Sequence, residues 1–286
     1  MATTMRSMTK NSPRFPTSRA NGPVEATRRG RRGQWTLSSR GDVAVAHGLR
    51  RRTALWIFCL LACAVVAQAV GQSGDPFQME RRGMVRDQVH KRGIETPVLL
   101  QAMESVPRHL FVPEREQPKA YDDVPVAIAP GKTLSQAYVS ATMISLLELD
   151  GDEKVLEIGT GSGYDAALLS RMADEVYTIE IDTELGKKAM QTLKRLGYGN
   201  IHVRIGDGYR GWPEEAPFDA ILLTAAPERV PQPLLDQLQV GGRMVVAIGG
   251  LVQDLQVLTK TEDGIERRKV SLVNLSPMTG EVKREQ

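Results

Sequence analysis

The chain has 286 residues, 41% of them hydrophobic, and a formal net charge of +3. That length allows one substantial buried core. The charge is unevenly spread: up to Arg52 there are twelve basic against two acidic residues, and the remainder carries 25 basic against 32 acidic. A mildly acidic remainder disfavours a groove that tracks phosphates, so no nucleic acid is expected as a partner.

In chain order, residues 1–52 form a basic arm rich in Ser, Thr, Pro and Gly with little apolar periodicity. Such a composition cannot offset the entropy of ordering and is expected to be disordered. Arg50, Arg51 and Arg52 then run into an apolar segment, residues 53–72, that holds both cysteines, Cys59 and Cys63. Its charged and apolar regions, with Ala67-Gln68-Ala69 as a cleavage site and Leu60-Leu61-Ala62-Cys63 as a loose lipobox, read as an export signal. Its length is also close to that of a membrane anchor, which gives a membrane contact. The third reading is an over-extended start, with initiation nearer Met79 or Met84.

The rest lacks cysteine, and His47, His90, His109 and His202 are scattered. Neither a disulfide framework, a cysteine nucleophile nor a protein metal site is expected. Asp75 to Glu80 reads as a linker, and residues 80–280 as the globular domain. From Met84 to Met103 the apolar positions Val85, Val89, Val98, Leu99 and Met103 predict short helices broken at Gly93 and Pro97, a small N-terminal helical cap. Phe111 to Pro113 and Tyr121 to Pro130 read as irregular. Just after Ser135 a long helix is expected, with Val139, Met143, Leu146 and Leu147 on its core face.

Strands are expected at Lys154 to Ile158, Glu175 to Ile181, Ile201 to Ile205, Phe218 to Thr224 and Arg243 to Ile248. Helices at Tyr164 to Met172, Glu184 to Leu196 and Pro233 to Leu238 separate most of them. Alternation of this kind requires crossovers and a parallel sheet, a doubly wound α/β layer. Leu255 to Thr259 and Lys269 to Asn274, joined through Asp263-Gly264, form an expected C-terminal antiparallel pair.

The first strand runs into Gly159-Thr160-Gly161-Ser162-Gly163, a turn whose glycines permit positive φ and close backbone approach to a ligand. The spacing is G-x-G-x-G, whereas a dinucleotide turn prefers G-x-G-x-x-G. Glu157, inside the strand just before the turn, has no task beside a pyrophosphate but can meet an ammonium directly or through water. Glu180 ends the second strand, where a carboxylate accepts ribose hydroxyls. After the third strand, Asp207 and Gly208 sit where Asp207 could accept an adenine amino group. Singly, each acid is equally a solvated turn or a cap; together they fit one adenosine-bearing ligand.

These segments, with Val106 to Pro113, Tyr121-Asp122-Asp123, Thr133-Leu134-Ser135-Gln136, Gly206-Asp207-Gly208-Tyr209 and Phe218-Asp219-Ala220-Ile221, resemble the protein-L-isoaspartate O-methyltransferase family over residues 84 to 280. The resemblance implies a seven-stranded, Rossmann-like class I methyltransferase sheet and S-adenosyl-L-methionine as cofactor. It also implies methyl esterification of L-isoaspartyl and D-aspartyl carboxylates in damaged proteins and peptides, which initiates their repair. It marks Ser135 as the active-site serine. Read by itself, Ser135 is first an N-cap. Thr133, Gln136, Thr224 and Ala225 are expected on the substrate side, although Thr224 to Pro227 fits a close-packed strand end equally well. The family usually has Pro where this chain has Ala137, a change of local rigidity more than of geometry.

No His/Asp arrangement marks Ser135 as a covalent nucleophile, and an already ionised acceptor carboxylate needs none. A monomer is expected, with the catalytic domain in the cytoplasm where the methyl donor is held. Export or anchoring through residues 53–72 is the alternative. The competing functional readings are a methyltransferase on another acceptor and a non-catalytic, membrane-tethered nucleoside-binding protein.

Overall fold

The computed structural model describes residues 75–284, and the basic arm and apolar segment expected at 1–52 and 53–72 lie outside them. The described residues open with α1 (Gln78–Met84), so the stretch expected as a linker is already helical from Gln78. A π-helical turn (Val85–Val89) and a 3-10 turn (His90–Arg92) follow. Gly93, at φ 94°, ends them in the left-handed conformation that glycine adopts without steric cost. Proline at its first position starts α2 (Pro97–Ser105). Val85, Val89, Leu99 and Met103 are buried as the spacing predicts, while Val98 is exposed.

The segment Tyr121 to Pro130, expected to be irregular, contains half of a hairpin. β1 (Val126–Ala129) pairs antiparallel with β2 (Lys132–Leu134) across Gly131. Prolines at 125 and 130 hide so short a strand from a period-two reading. The next helix, α3 (Ala137–Ser145), has nine residues, and its buried side is Ala137, Ser140, Ala141, Met143 and Ile144. The expected face held for Met143 and Leu147, but Val139 and Leu146 are only partly buried. Small side chains let this helix approach closely, and a search for large apolar residues overlooks them.

A seven-stranded sheet forms the centre. Its strands are β3 (Lys154–Ile158), β4 (Glu175–Glu180), β5 (Ile201–Ile205), β6 (Phe218–Leu223), β7 (Leu238–Ile248), β8 (Gln253–Thr261) and β9 (Gly264–Val273). The spatial order is β5-β4-β3-β6-β7-β8-β9. The first five are parallel and the last two antiparallel to their neighbours. Between them run α4 (Tyr164–Leu169), α5 (Thr183–Arg195) and α6 (Gln232–Gln237).

Two apolar clusters cover the two faces. Alternate strand residues such as Val155 and Leu156 fall into different clusters, as a period of two demands. Sequence order reverses at β3, with β4 and β5 on one side and β6 and β7 on the other. In open sheets of this kind the ligand crevice lies outside the carboxyl ends at that switch point.

Candidate active site

A cleft opens there. Its walls are the β1–β2 hairpin with Ser135, the turn from Gly159 to Ser162, the end of β4 at Glu180, Gly208, Thr224 with Ala225, and the segment Ser276 to Thr279. Eight of the twelve residues singled out from sequence line it together: Thr133, Ser135, Gly159, Gly161, Glu180, Gly208, Thr224 and Ala225. Glu157, Gly163, Asp207 and Gln136 do not.

The turn is held open by contacts that a side chain would block. Gly159 has φ 102°, and a Cβ there would stand 2.4 Å from Thr224 Oγ1. Thr224 donates from that oxygen to the carbonyls of Ile158 (3.0 Å) and Gly159 (2.7 Å), clasping the end of β3 to the end of β6. A Cβ on Gly208 would meet Ile158 Cγ2 at 2.6 Å, so the third strand's exit also needs bare backbone against the cleft. Gly163, at φ 89°, packs instead against Leu193 of α5, which makes it a helix-packing glycine.

Glu180 is 4% exposed. Its Oε2 accepts from Gly161 N at 2.7 Å and its Oε1 from Asp182 N at 2.9 Å. Each carboxylate oxygen retains a further lone pair, and the residue lines the cleft. Asp207 turns away: Oδ1 accepts from Tyr209 N (2.9 Å) and Oδ2 from Glu281 N (2.6 Å), so this carboxylate fastens the C-terminal segment.

Ser135 is not the N-cap. α3 begins at Ala137 behind Gln136, without any side-chain cap bond, and Ser135 lies one residue too early to reach the orphan amides. Its hydroxyl has no hydrogen-bond partner among the described residues, while its carbonyl accepts from Nη2 of Arg108. Arg108 is fully buried, donates from Nε to Ala120 O at 2.7 Å, and lies over the Tyr164 ring at 4.7 Å. Gln136 donates to Asp123 O at 2.8 Å, bracing the loop before the hairpin.

Two acids stand under the turn. Glu157 is wholly buried and accepts from Thr178 Oγ1, which also bonds Thr160. Burial drives its carboxyl well above the usual range, the nearby charges of Asp165 and Glu180 add to this, and the Thr178 bond opposes it. Asp165, in the first turn of α4, lines the cleft; burial raises it too, against Ser140 and Arg108.

Sequence reasoning passed over Asp165, because an acid in a helix's first turn ordinarily complements the helix dipole. It also missed Ser276 to Thr279. That segment reaches the cleft through main-chain bonds, Ala226 N to Ser276 O (2.9 Å) and Met278 N to Ala226 O (2.7 Å), which leave no mark in side-chain identity.

A parallel sheet with this strand order, a G-x-G-x-G turn and an acid at the neighbouring strand end defines a class I S-adenosylmethionine-dependent methyltransferase. Residues 79–283 match the family model of protein-L-isoaspartate(D-aspartate) O-methyltransferase. A protein-L-isoaspartate O-methyltransferase of a Picosynechococcus species is 49% identical over 206 residues, covering 72% of this chain and 93% of the relative. A solved protein-L-isoaspartate O-methyltransferase is 27% identical with a TM-score of 0.64, covering 70% of this chain and 67% of that one. A Plasmodium falciparum protein solved in complex with S-adenosyl-L-homocysteine shares the fold at 23% identity and a TM-score of 0.62, covering 70% of this chain and 98% of that one. The chain belongs to the protein-L-isoaspartate(D-aspartate) O-methyltransferase family.

Proposed function

We propose that this cleft carries out methyl esterification of the free carboxylate of L-isoaspartyl and D-aspartyl residues in damaged proteins, with Ser135 as the residue that positions the acceptor. The observation that carries the reading is that the unpartnered Ser135 hydroxyl and the glycine turn from Gly159 share one cleft wall to wall. The residues fit the cofactor's shape: bare glycine backbone at Gly159, Gly161 and Gly208 admits a flat nucleoside, and Glu180 offers acceptors for ribose hydroxyls. When bound, S-adenosylmethionine supplies an electrophilic methyl group on a sulfonium sulfur that departs as a neutral thioether.

Ser135 donates its hydroxyl to one oxygen of the acceptor carboxylate and leaves the other oxygen to attack in line. A carboxylate with an ordinary pKa of about 4 is ionised at neutral pH, so no residue has to remove a proton. Opposite charges cancel as the ester forms, and a cleft lined by Ile128, Leu134, Ile158 and Ile179 favours that loss of charge over the separated ions. Alignment and exclusion of water are therefore the chain's main contributions. Thr133 and Ala225 flank the acceptor position, where small or short side chains leave room for a peptide backbone.

No helix among the described residues is long and apolar enough to cross a membrane. Since the methyl donor is a cytoplasmic metabolite, the reading assigns residues 80–280 to the cytoplasm as a monomeric catalytic domain. The test is incubation of the full chain with labelled S-adenosylmethionine and an isoaspartyl peptide beside its aspartyl twin and an RNA. Base-labile label on the isoaspartyl peptide alone supports the reading; label on RNA, or on neither peptide, overturns it.

A further inference from the structure

A groove of about 600 Å³ leaves the cleft between the 3-10 turn Arg108–Phe111 and helix α5. Ile128, Ser162 and Leu185 line both, so groove and cleft form one continuous depression. Ser135, Glu180 and Gly208 line only the cleft, and the groove therefore adds space beyond the cofactor and acceptor positions. Its floor is apolar and already packed. Phe111 and Val112 are buried there, and the Phe111 ring meets Tyr164 edge-on at 5.7 Å.

The bank formed by α5 is cationic. Lys188 and Arg195 line it two helical turns apart, which puts them on one face about 10.5 Å from each other along the axis. Both are exposed, and neither makes an ion pair among the described residues. Lys187, beside them on the helix but absent from the groove, pairs with Glu184 at 2.9 Å. No Asp or Glu among the described residues lines the groove. This acid-free stripe belongs to a chain that is net acidic after Arg52.

An apolar trough with a cationic bank suits an extended chain segment that carries carboxylates. The two cations span about three residues of extended backbone, at roughly 3.3 Å each. Continuity with the cleft says which chain that is, because the segment next to the acceptor residue must leave the cleft through one of its openings. Resting on the proposed esterification of isoaspartyl carboxylates, we propose that the groove binds the flank of the damaged protein and that Lys188 and Arg195 select substrates with acidic residues there. Neither cation lines the cleft, so the selection acts on KM and not on kcat.

The test is steady-state methylation, by the full chain, of isoaspartyl peptides of one sequence whose flank on either side carries glutamates, glutamines or lysines. On the side that enters the groove, glutamates should lower KM about three- to tenfold against glutamines, the range for two exposed ion pairs, with kcat within about twofold. The net acidic remainder of the chain by itself favours the lysine peptide, so an acidic preference is the signature of the local cations. Raising salt to roughly 0.5 M should shrink the preference below about twofold.

Lys188→Glu combined with Arg195→Glu should reverse the order and favour the lysine peptide. The glutamine peptide should keep its kcat and KM within about twofold, which certifies the fold of the variant. Equal KM for all flanks in the parent, or an unaltered order in the double variant, would overturn the proposal. An RNA oligonucleotide that inhibits the parent more strongly than the acidic aspartyl twin, and loses that effect in the variant, would make nucleic acid the occupant and overturn it too. A parent that methylates none of the isoaspartyl peptides, glutamine flank included, gives a different result and overturns the esterification itself.

Discussion

The buried guanidinium of Arg108 donates to the carbonyl oxygen of Ser135, 27 residues further along the chain. The same side chain donates to Ala120 O and lies over Tyr164, the first residue of the helix that leaves the glycine turn. One planar group thereby joins Ser135 to the helix that follows the glycine turn, and their separation is fixed by its dimensions. Lysine keeps the charge but not the fork. Arg108→Lys should cost about 1.5–3 kcal/mol of stability, the range for hydrogen bonds to a charged group. It should lower kcat on isoaspartyl peptide about tenfold through misplacement of Ser135. Denaturant melts and steady-state kinetics check the two effects, and a fall in stability with unaltered kcat would remove Arg108 from the positioning of Ser135.

Ser135→Ala deletes a hydroxyl that makes no hydrogen bond among the described residues, so stability should change by less than about 0.5 kcal/mol. Turnover should nonetheless fall about 10²-fold, the lower end for loss of one positioned donor. S-adenosylhomocysteine affinity should hold within about twofold, since nothing else in the cleft moves. Full turnover by this variant would refute the role of Ser135.

Two turn glycines should differ in their tolerance of alanine. At Gly159 the added Cβ meets Thr224 Oγ1 at 2.4 Å, and φ is 102°; at Gly161 φ is 56° and the nearest atom is Ile128 Cδ1 at 3.5 Å. Both pay the left-handed backbone cost of roughly 1–2 kcal/mol, but only Gly159→Ala also breaks the clasp between β3 and β6. Gly159→Ala should therefore be the more destabilised by at least about 1 kcal/mol. Thermal or urea unfolding of the two variants gives the order, and the reverse order would mean that Thr224 yields without cost.

The glycine turn and its strands were readable because the chemistry is local. Short β-rich runs end at residues whose spacing dictates backbone freedom, and β3 and β5 fall on the expected residues. Ser135's separation from the helix was not readable, since a single residue of extended backbone at Gln136 decides between cap and cleft. Asp207 shows the same limit from the other side. Its place at a strand end suggests a ligand, but the amide of Glu281, 74 residues away, claims its carboxylate. The small-residue face of α3 and the approach of Ser276 to Thr279 depend on what lies opposite, which no single segment encodes.

Glu157 supplies a pH signature. Its folded-state carboxyl is raised well above the ordinary 4.5, first by burial and then by the charges of Asp165 and Glu180. The folded chain thus keeps a proton that the unfolded chain releases. The sign follows: this contribution to stability is full below about pH 4.5 and is lost progressively as pH climbs toward the raised folded value. Glu157→Gln retains an acceptor oxygen for Thr178 and is uncharged at every pH. The variant should match the parent within about 1 kcal/mol near pH 4 and gain on it steadily up to neutrality, so the two stability curves diverge with rising pH. Urea unfolding of both proteins from pH 4 to pH 8 measures that divergence. Parallel curves would mean that Glu157 is ionised in the folded chain, with a cation beneath the turn to hold it so.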